Sequence, residues 1–138
     1  MGITQKYINE ITYEIIGAAI EVHKAFGPVL LESAYEKFFL RELELRKLEF
    51  NSQRHIGVQY KGAYIDTQLR YDILVEDLVI VEIKAVEKVL PIHSLVLISY
   101  MELLKKPKGI LLNFHCVNIF NEGQKTFVNK YFSALPDY

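Results

Sequence analysis

Tryptophan is absent, cysteine occurs once, and no uninterrupted apolar run approaches the roughly 18–20 residues that a membrane-spanning helix needs. The lone Cys116 has no partner for an internal disulfide, and no Cys/His spacing suggests zinc. It lies in the apolar run Gly109–Phe120, where a buried, inert thiol is expected. Charge of one sign is also missing: 16 Lys and Arg against 17 Asp and Glu leave a formal net charge of -1. That excludes a globally basic chain coating nucleic acid through bulk electrostatics, but not a localised basic groove. Low-complexity tracts, internal repeats, a Gly-rich phosphate loop and a Ser/His/Asp or Cys/His arrangement do not occur. The start, Met1 to Lys6, leads into an amphipathic segment rather than a signal-peptide core, so the cytoplasm is the expected compartment and a membrane is not an expected partner.

What is present is core material. Hydrophobic residues make up 51% of 138 positions, enough for one domain spanning residues 1–138 and no disordered signature. From Thr4 to Phe26 apolar residues recur at helical spacing: Ile8, Ile11, Ile15, Ala18, Ala19, Val22, Phe26. Gly27-Pro28 stops that helix. A second helix is expected from about Leu30 to Leu48, carrying the stripe Leu31, Ala34, Tyr35, Phe38, Phe39, Leu43, Leu45, with Arg41, Arg46 and Lys47 on a solvated face. The two should form a hairpin. Beyond Phe50 the pattern becomes short strands: Gln53–Tyr60 and Ala63–Tyr71 around a turn at Lys61-Gly62, then Asp72–Val75 and Leu78–Ala85. Pro91 opens a third helix to Lys105, where Lys105, Lys106 and Lys108 suit a helix C-terminus. Gly109–Phe114 reads as a buried strand and Gly123–Tyr131 as an edge strand. This order implies an α/β layered domain with a mixed sheet and a strand–helix–strand crossover over about residues 78–114.

One stretch carries chemistry. In Leu78-Val79-Ile80-Val81-Glu82-Ile83-Lys84, two charges one residue apart interrupt an apolar strand, and a period of two puts both on one face. A charge pair on a covered face is costly unless it is paired or binds an ion. Asp72 joins them only through register. A two-residue loop at Glu76-Asp77 would set Asp72 opposite Val81, facing away from Glu82. A three-residue loop, Glu76-Asp77-Leu78, sets it opposite Glu82, and this odd loop is the expectation. Two carboxylates and a lysine converging so suit a hard divalent cation, Mg²⁺ or Mn²⁺, with Lys84 holding an attacking water or a phosphate oxygen.

Asp72 followed by Glu82-Ile83-Lys84 on the next strand resembles the signature of the PD-(D/E)xK nuclease superfamily. The stretch Gly27 to Glu36 resembles the namesake motif of the bacterial GxxExxY family, a small branch of it. Matching blocks continue through Tyr60-Lys61-Gly62, Asp72 to Val75, Val81 to Val86, His93 with Tyr100, and Gly109 to Phe114, covering about residues 5 to 130. The resemblance implies a restriction-endonuclease-like fold: a four-stranded mixed core sheet flanked by helices, with the acidic site on the central hairpin. It also implies a role for Glu32, as a further carboxylate for the metal. Helical spacing sets Glu32, Tyr35 and Glu36 on one face, so Glu32 and Tyr35 are expected to look into one cleft; a helix N-terminal charge is the other reading of Glu32. His93 and Tyr100, seven apart, face the same way and are candidate substrate contacts, although His93 also fits a helix-start residue. The chain departs from the family pattern at Val29, in place of a glycine, and at Val96, in place of a polar Gln.

Two functions follow from different classes. One is a metal-dependent phosphodiesterase acting on DNA or RNA through Asp72, Glu82 and Lys84 with help from Glu32. The other is a nuclease-like binding or accessory module with little or no cleavage, favoured by Val96 and the near-neutral charge. A structural ion-pair network is a third reading of the same charges. In either of the first two, specificity would call on a homo-oligomer or a partner protein.

Overall fold

The expected helical stripe near the start of the chain forms one continuous helix. In the computed structural model, which describes residues 2–138, α1 spans Gln5–Phe26 and buries Ile8, Ile11, Ile15, Ala18, Ala19 and Val22. Thr4 caps it, its hydroxyl accepting the Tyr7 N–H at 3.0 Å. The second helix, α2, is shorter than predicted, Glu32–Leu45, and buries Tyr35, Phe39 and Leu43, one residue per turn. Leu31 serves as its N-cap without a side-chain cap bond and stays exposed. Arg46 is not a solvated cation: it donates to Glu14 of α1 at 3.0 Å and lies 3.7 Å from Glu42, tying the two helices together.

Five strands form one mixed sheet in chain order: β1 Phe50–Tyr60, β2 Ala63–Val75, β3 Val79–Lys84, β4 Lys108–Asn113 and β5 Gln124–Val128. The neighbours are antiparallel except β3 and β4, which run parallel with helix α3, Pro91–Leu104, as their crossover. The predicted pieces Ala63–Tyr71 and Asp72–Val75 are a single strand, and the fifth strand makes the sheet one wider than the core that the resemblance implied. The expected last strand is cut short because residues 119–123 form one π-helical turn and Lys130–Ser133 a short helix, α4.

Both sheet faces are covered. Val79, Val81 and Ile83 of β3 pack with α1 and α2, while Ile80 packs with Leu97 and Met101 of α3. Burying each such side chain fully is worth roughly 1.5–3 kcal/mol. That makes β3 the spine of the fold, and a charged residue within it an exception needing a local reason. Among the described residues no helix is long and apolar enough to cross a membrane.

Candidate active site at the fork of β2 and β3

The β2–β3 loop is the odd one. The pairs Ile73↔Val81, Leu74↔Ile80 and Val75↔Val79 leave Glu76-Asp77-Leu78 outside the ladder. Glu76 and Asp77 both take left-handed φ, 53° and 56°, at roughly 1–2 kcal/mol per residue. The Glu76 carboxylate offsets this by accepting the Glu49 N–H at 2.6 Å and the Tyr7 hydroxyl at 3.2 Å.

The ladder stops one step short of Asp72 and Glu82, and there the two strands part. Asp72 Oδ2 enters the fork and accepts the Ile83 N–H at 2.8 Å, closing a backbone donor that β2 no longer serves. The pleat of β2 is broken at this point. Tyr71 and Leu74 are three residues apart, yet both pack on the α3 side. Opposite Asp72 in β1, Gln53 sits at φ 55°, a left-handed conformation inside a strand. Its side-chain amide donates to Glu36 at 2.6 Å and approaches Asp72 Oδ1 at 3.5 Å.

Glu82 lies beside Asp72 and is 5% exposed. Burial first, then the Asp72 charge and a hydrogen bond shared with Asp72, push its carboxyl up to about 9, with Lys84 opposing the shift. The shift favours the protonated carboxyl of Glu82 at neutral pH, against the opposing pull of the Asp72 backbone. Its Oε1 is buried with no hydrogen-bond partner, an exception that native interiors seldom tolerate. Lys84 follows two residues on, on the same face by alternation, and is half-buried. Tyr100 of α3 comes close enough that burial, then the Glu82 charge, raise its phenol, and the Arg70 backbone hydrogen-bonds to it.

Glu32, Ser33, Glu36, Gln53, Arg70, Asp72 and Ile83 line an open cleft of about 410 Å³. Glu32 is exposed in the first turn of α2. Among the described residues no three His, Cys, Asp or Glu side chains converge as a cation cage, so Glu32 shares the cleft without joining the Asp72–Glu82 pair. Glu36 faces it as well; burial raises its carboxyl, reinforced by Asp72 and Glu32, while the Gln53 amide lowers it.

Two expectations do not survive the geometry. Tyr35 does not look into the cleft. It is fully buried, stacks on Phe114 with ring centroids 4.5 Å apart, and its hydroxyl accepts the Leu30 N–H at 3.0 Å while donating to Gly27 O. It braces the α1–α2 connection, since residue 35 heads the buried stripe of α2 whereas 32 and 36 flank it. His93 turns to its own helix start, Nδ1 accepting the Leu90 N–H at 3.0 Å, so it caps α3, whereas the Tyr100 phenol lies near enough to feel the charges of Glu82 and Asp72. Cys116 is half-buried, its thiol donating to Asn113 O at 3.3 Å and raised by burial.

The profile of the PD-(D/E)XK nuclease superfamily matches residues 9–126, most of the chain. The chain belongs to that superfamily. No curated protein and no solved structure matches it. The match agrees with a restriction-endonuclease-like architecture: a mixed sheet with α1 and α2 on one face and α3 on the other. Members of the PD-(D/E)XK superfamily are nuclease-like, and they generally use divalent metals. Gln53 and Glu36 are cleft residues that sequence reasoning missed. Nothing in the run Asn51-Ser52-Gln53-Arg54 signals a left-handed break, but Glu36 was visible as the residue one turn after Glu32.

Proposed function

We propose that the chain is a metal-dependent phosphodiesterase acting on nucleic acid, in which Asp72 and Glu82 hold Mg²⁺ or Mn²⁺ and Lys84 assists the attacking water. The observation that carries this is the orphaned Glu82 Oε1 beside Asp72. A buried carboxyl whose oxygen is left without a donor, set beside a second, half-buried carboxylate, is a pair that a hard cation fits. Bound there, such an ion supplies a water of lowered pKa and neutralises charge developing on the phosphate.

The chain's own groups supply the rest. The Ile83 N–H fixes the Asp72 carboxylate, so the donor oxygens are set before any ligand arrives. Lys84 places an ammonium on the same strand face, where it holds the nucleophilic water or a phosphate oxygen. Tyr100 lies within reach as a neutral hydroxyl donor, and Glu32 and Glu36 add negative charge along the cleft and serve as outer carboxylates. The finer likeness to the GxxExxY branch is supported by Glu32, by Asp72 with Glu82-Ile83-Lys84, and by the block Gly109 to Phe114. A second reading, a nuclease-like binding module without turnover, is favoured by Val96, an exposed apolar residue at 38% where that branch has a hydrogen-bonding side chain.

The test is divalent-dependent cleavage of single- and double-stranded DNA and RNA by wild type, Asp72→Ala and Lys84→Ala. Cleavage by wild type should fall about 10²-fold or more in each variant. Equal activity in all three would mark a contaminant, and no activity in any would favour the binding module.

A further inference from the structure

Beyond the cleft, β1 and β2 continue as a projecting hairpin. Its register shifts between His55 and Gly57, where Thr67, Gln68 and Leu69 bulge out of β2 and the Thr67 hydroxyl closes the bulge by donating to Ile56 O. The core ends at Ile56, which is fully buried. Past it almost every position is exposed, including Tyr60 at 60% and Tyr64 at 67%. The hairpin from Arg54 to Arg70 holds three cations, Arg54, Lys61 and Arg70, against the single anion Asp66, in a chain whose net charge is -1. The charge balance of the whole thus conceals a basic arm.

Its two faces differ. Ile56 and Val58 pack toward α3, and by alternation Tyr60 lies on their side. On the other face the cross-strand pairs His55↔Arg70, Gly57↔Asp66 and Gln59↔Tyr64 follow one another outward, and Arg70 also lines the cleft. The Tyr64 ring reaches back across Gly57: a Cβ at position 57 would overlap its hydroxyl and ring carbons. The missing side chain lets the phenol lie against the backbone with its outer surface open. From Asp72 outward this face therefore offers an arginine, an imidazole, a flat ring and an amide, with the carboxylate of Asp66 the one anion among them.

Building on the phosphodiesterase reading, we propose that this face binds an unpaired polynucleotide strand leading into the cleft, with a base stacked on Tyr64 and its phosphates at Arg70. A ring lying flat on the sheet presents a surface to a base face, which a duplex keeps stacked on its neighbours; an unpaired strand is free to offer it. Few cations are needed, because stacking carries much of the affinity.

Fluorescence anisotropy with labelled 15-nucleotide oligothymidylate, oligouridylate and a DNA duplex of the same length tests this in EDTA, so that cleavage does not enter. Both single strands should bind wild type more tightly than the duplex. Tyr64→Ala should weaken them about ten-fold or more with an unchanged salt dependence, since no charge is lost. Tyr64→Phe, which keeps the ring, should bind as wild type, as should Tyr13→Ala, an equally exposed tyrosine on α1. The inference is overturned by wild-type affinity in Tyr64→Ala, by preference for the duplex, or by no binding of either single strand. If Tyr64-dependent binding is found in a chain that cuts nothing, the inference stands and the hydrolytic reading falls.

Discussion

Replacing Glu82 by glutamine removes the ionisable group while keeping its shape. The wild-type carboxyl stands at about 9 in the folded chain against an ordinary 4.5. A raised acid favours the folded state fully below its unfolded pKa, and that advantage drains away as pH climbs toward the folded value. Each pH unit in this window removes up to about 1.4 kcal/mol, so wild type should lose up to about 4 kcal/mol between pH 5 and pH 8 from this group. At a few degrees per kcal/mol for a chain of this size, that is roughly 10 °C in melting temperature. Glu82→Gln has no such slope. Denaturant and thermal unfolding in EDTA at half-unit pH steps should show the two proteins nearly equal at pH 5, with the variant increasingly the more stable above it. Parallel profiles across the range would refute the reasoning, because they would mean that Glu82 is already ionised inside the fold.

Other parts of the structure give further expectations. Asn113 is buried, and its amide bridges Val86 by accepting the N–H at 3.0 Å and donating to the carbonyl at 2.9 Å. Asn113→Ala should cost about 2–4 kcal/mol by denaturant titration, and speed amide hydrogen exchange at Val86, just past Lys84. Tyr35→Phe should lower stability by about 1–2 kcal/mol by losing the Leu30 and Gly27 bonds. It should leave any cleavage rate unchanged, whereas a drop in rate beyond the loss of folded protein would return Tyr35 to the site.

Much of the site was legible because strand geometry is strict. The period of two ties Glu82 to Lys84, and only an odd loop brings Asp72 to them, which is the register the hairpin adopts. Tyr35 was misplaced for a different reason. Helical spacing groups 32, 35 and 36 on one side, but a tyrosine seldom stays in solvent when Phe39 and Leu43 continue its stripe into the core. His93 satisfied the spacing argument with Tyr100 and still went to the helix start, where a free N–H competes for its ring nitrogen. Gln53 was illegible, because a left-handed residue within a strand is set by the pull of Glu36 and the fork at Asp72, contacts distant in sequence. The apparent surface lysine Lys108 is buried at 8% and lies 5.7 Å over the Phe132 ring, a packing that depends on α4 folding back beside it.

The most direct test of the central claim is calorimetric titration of Mn²⁺ into the wild-type chain and Asp72→Asn at pH 7.5, repeated in buffers of different ionisation enthalpy. Wild type should bind at one site and release close to one proton, the one Glu82 holds beside Asp72, and Asp72→Asn should lose that binding. No heat of binding in wild type, or equal binding in both proteins, would contradict the assignment of the pair as the cation site.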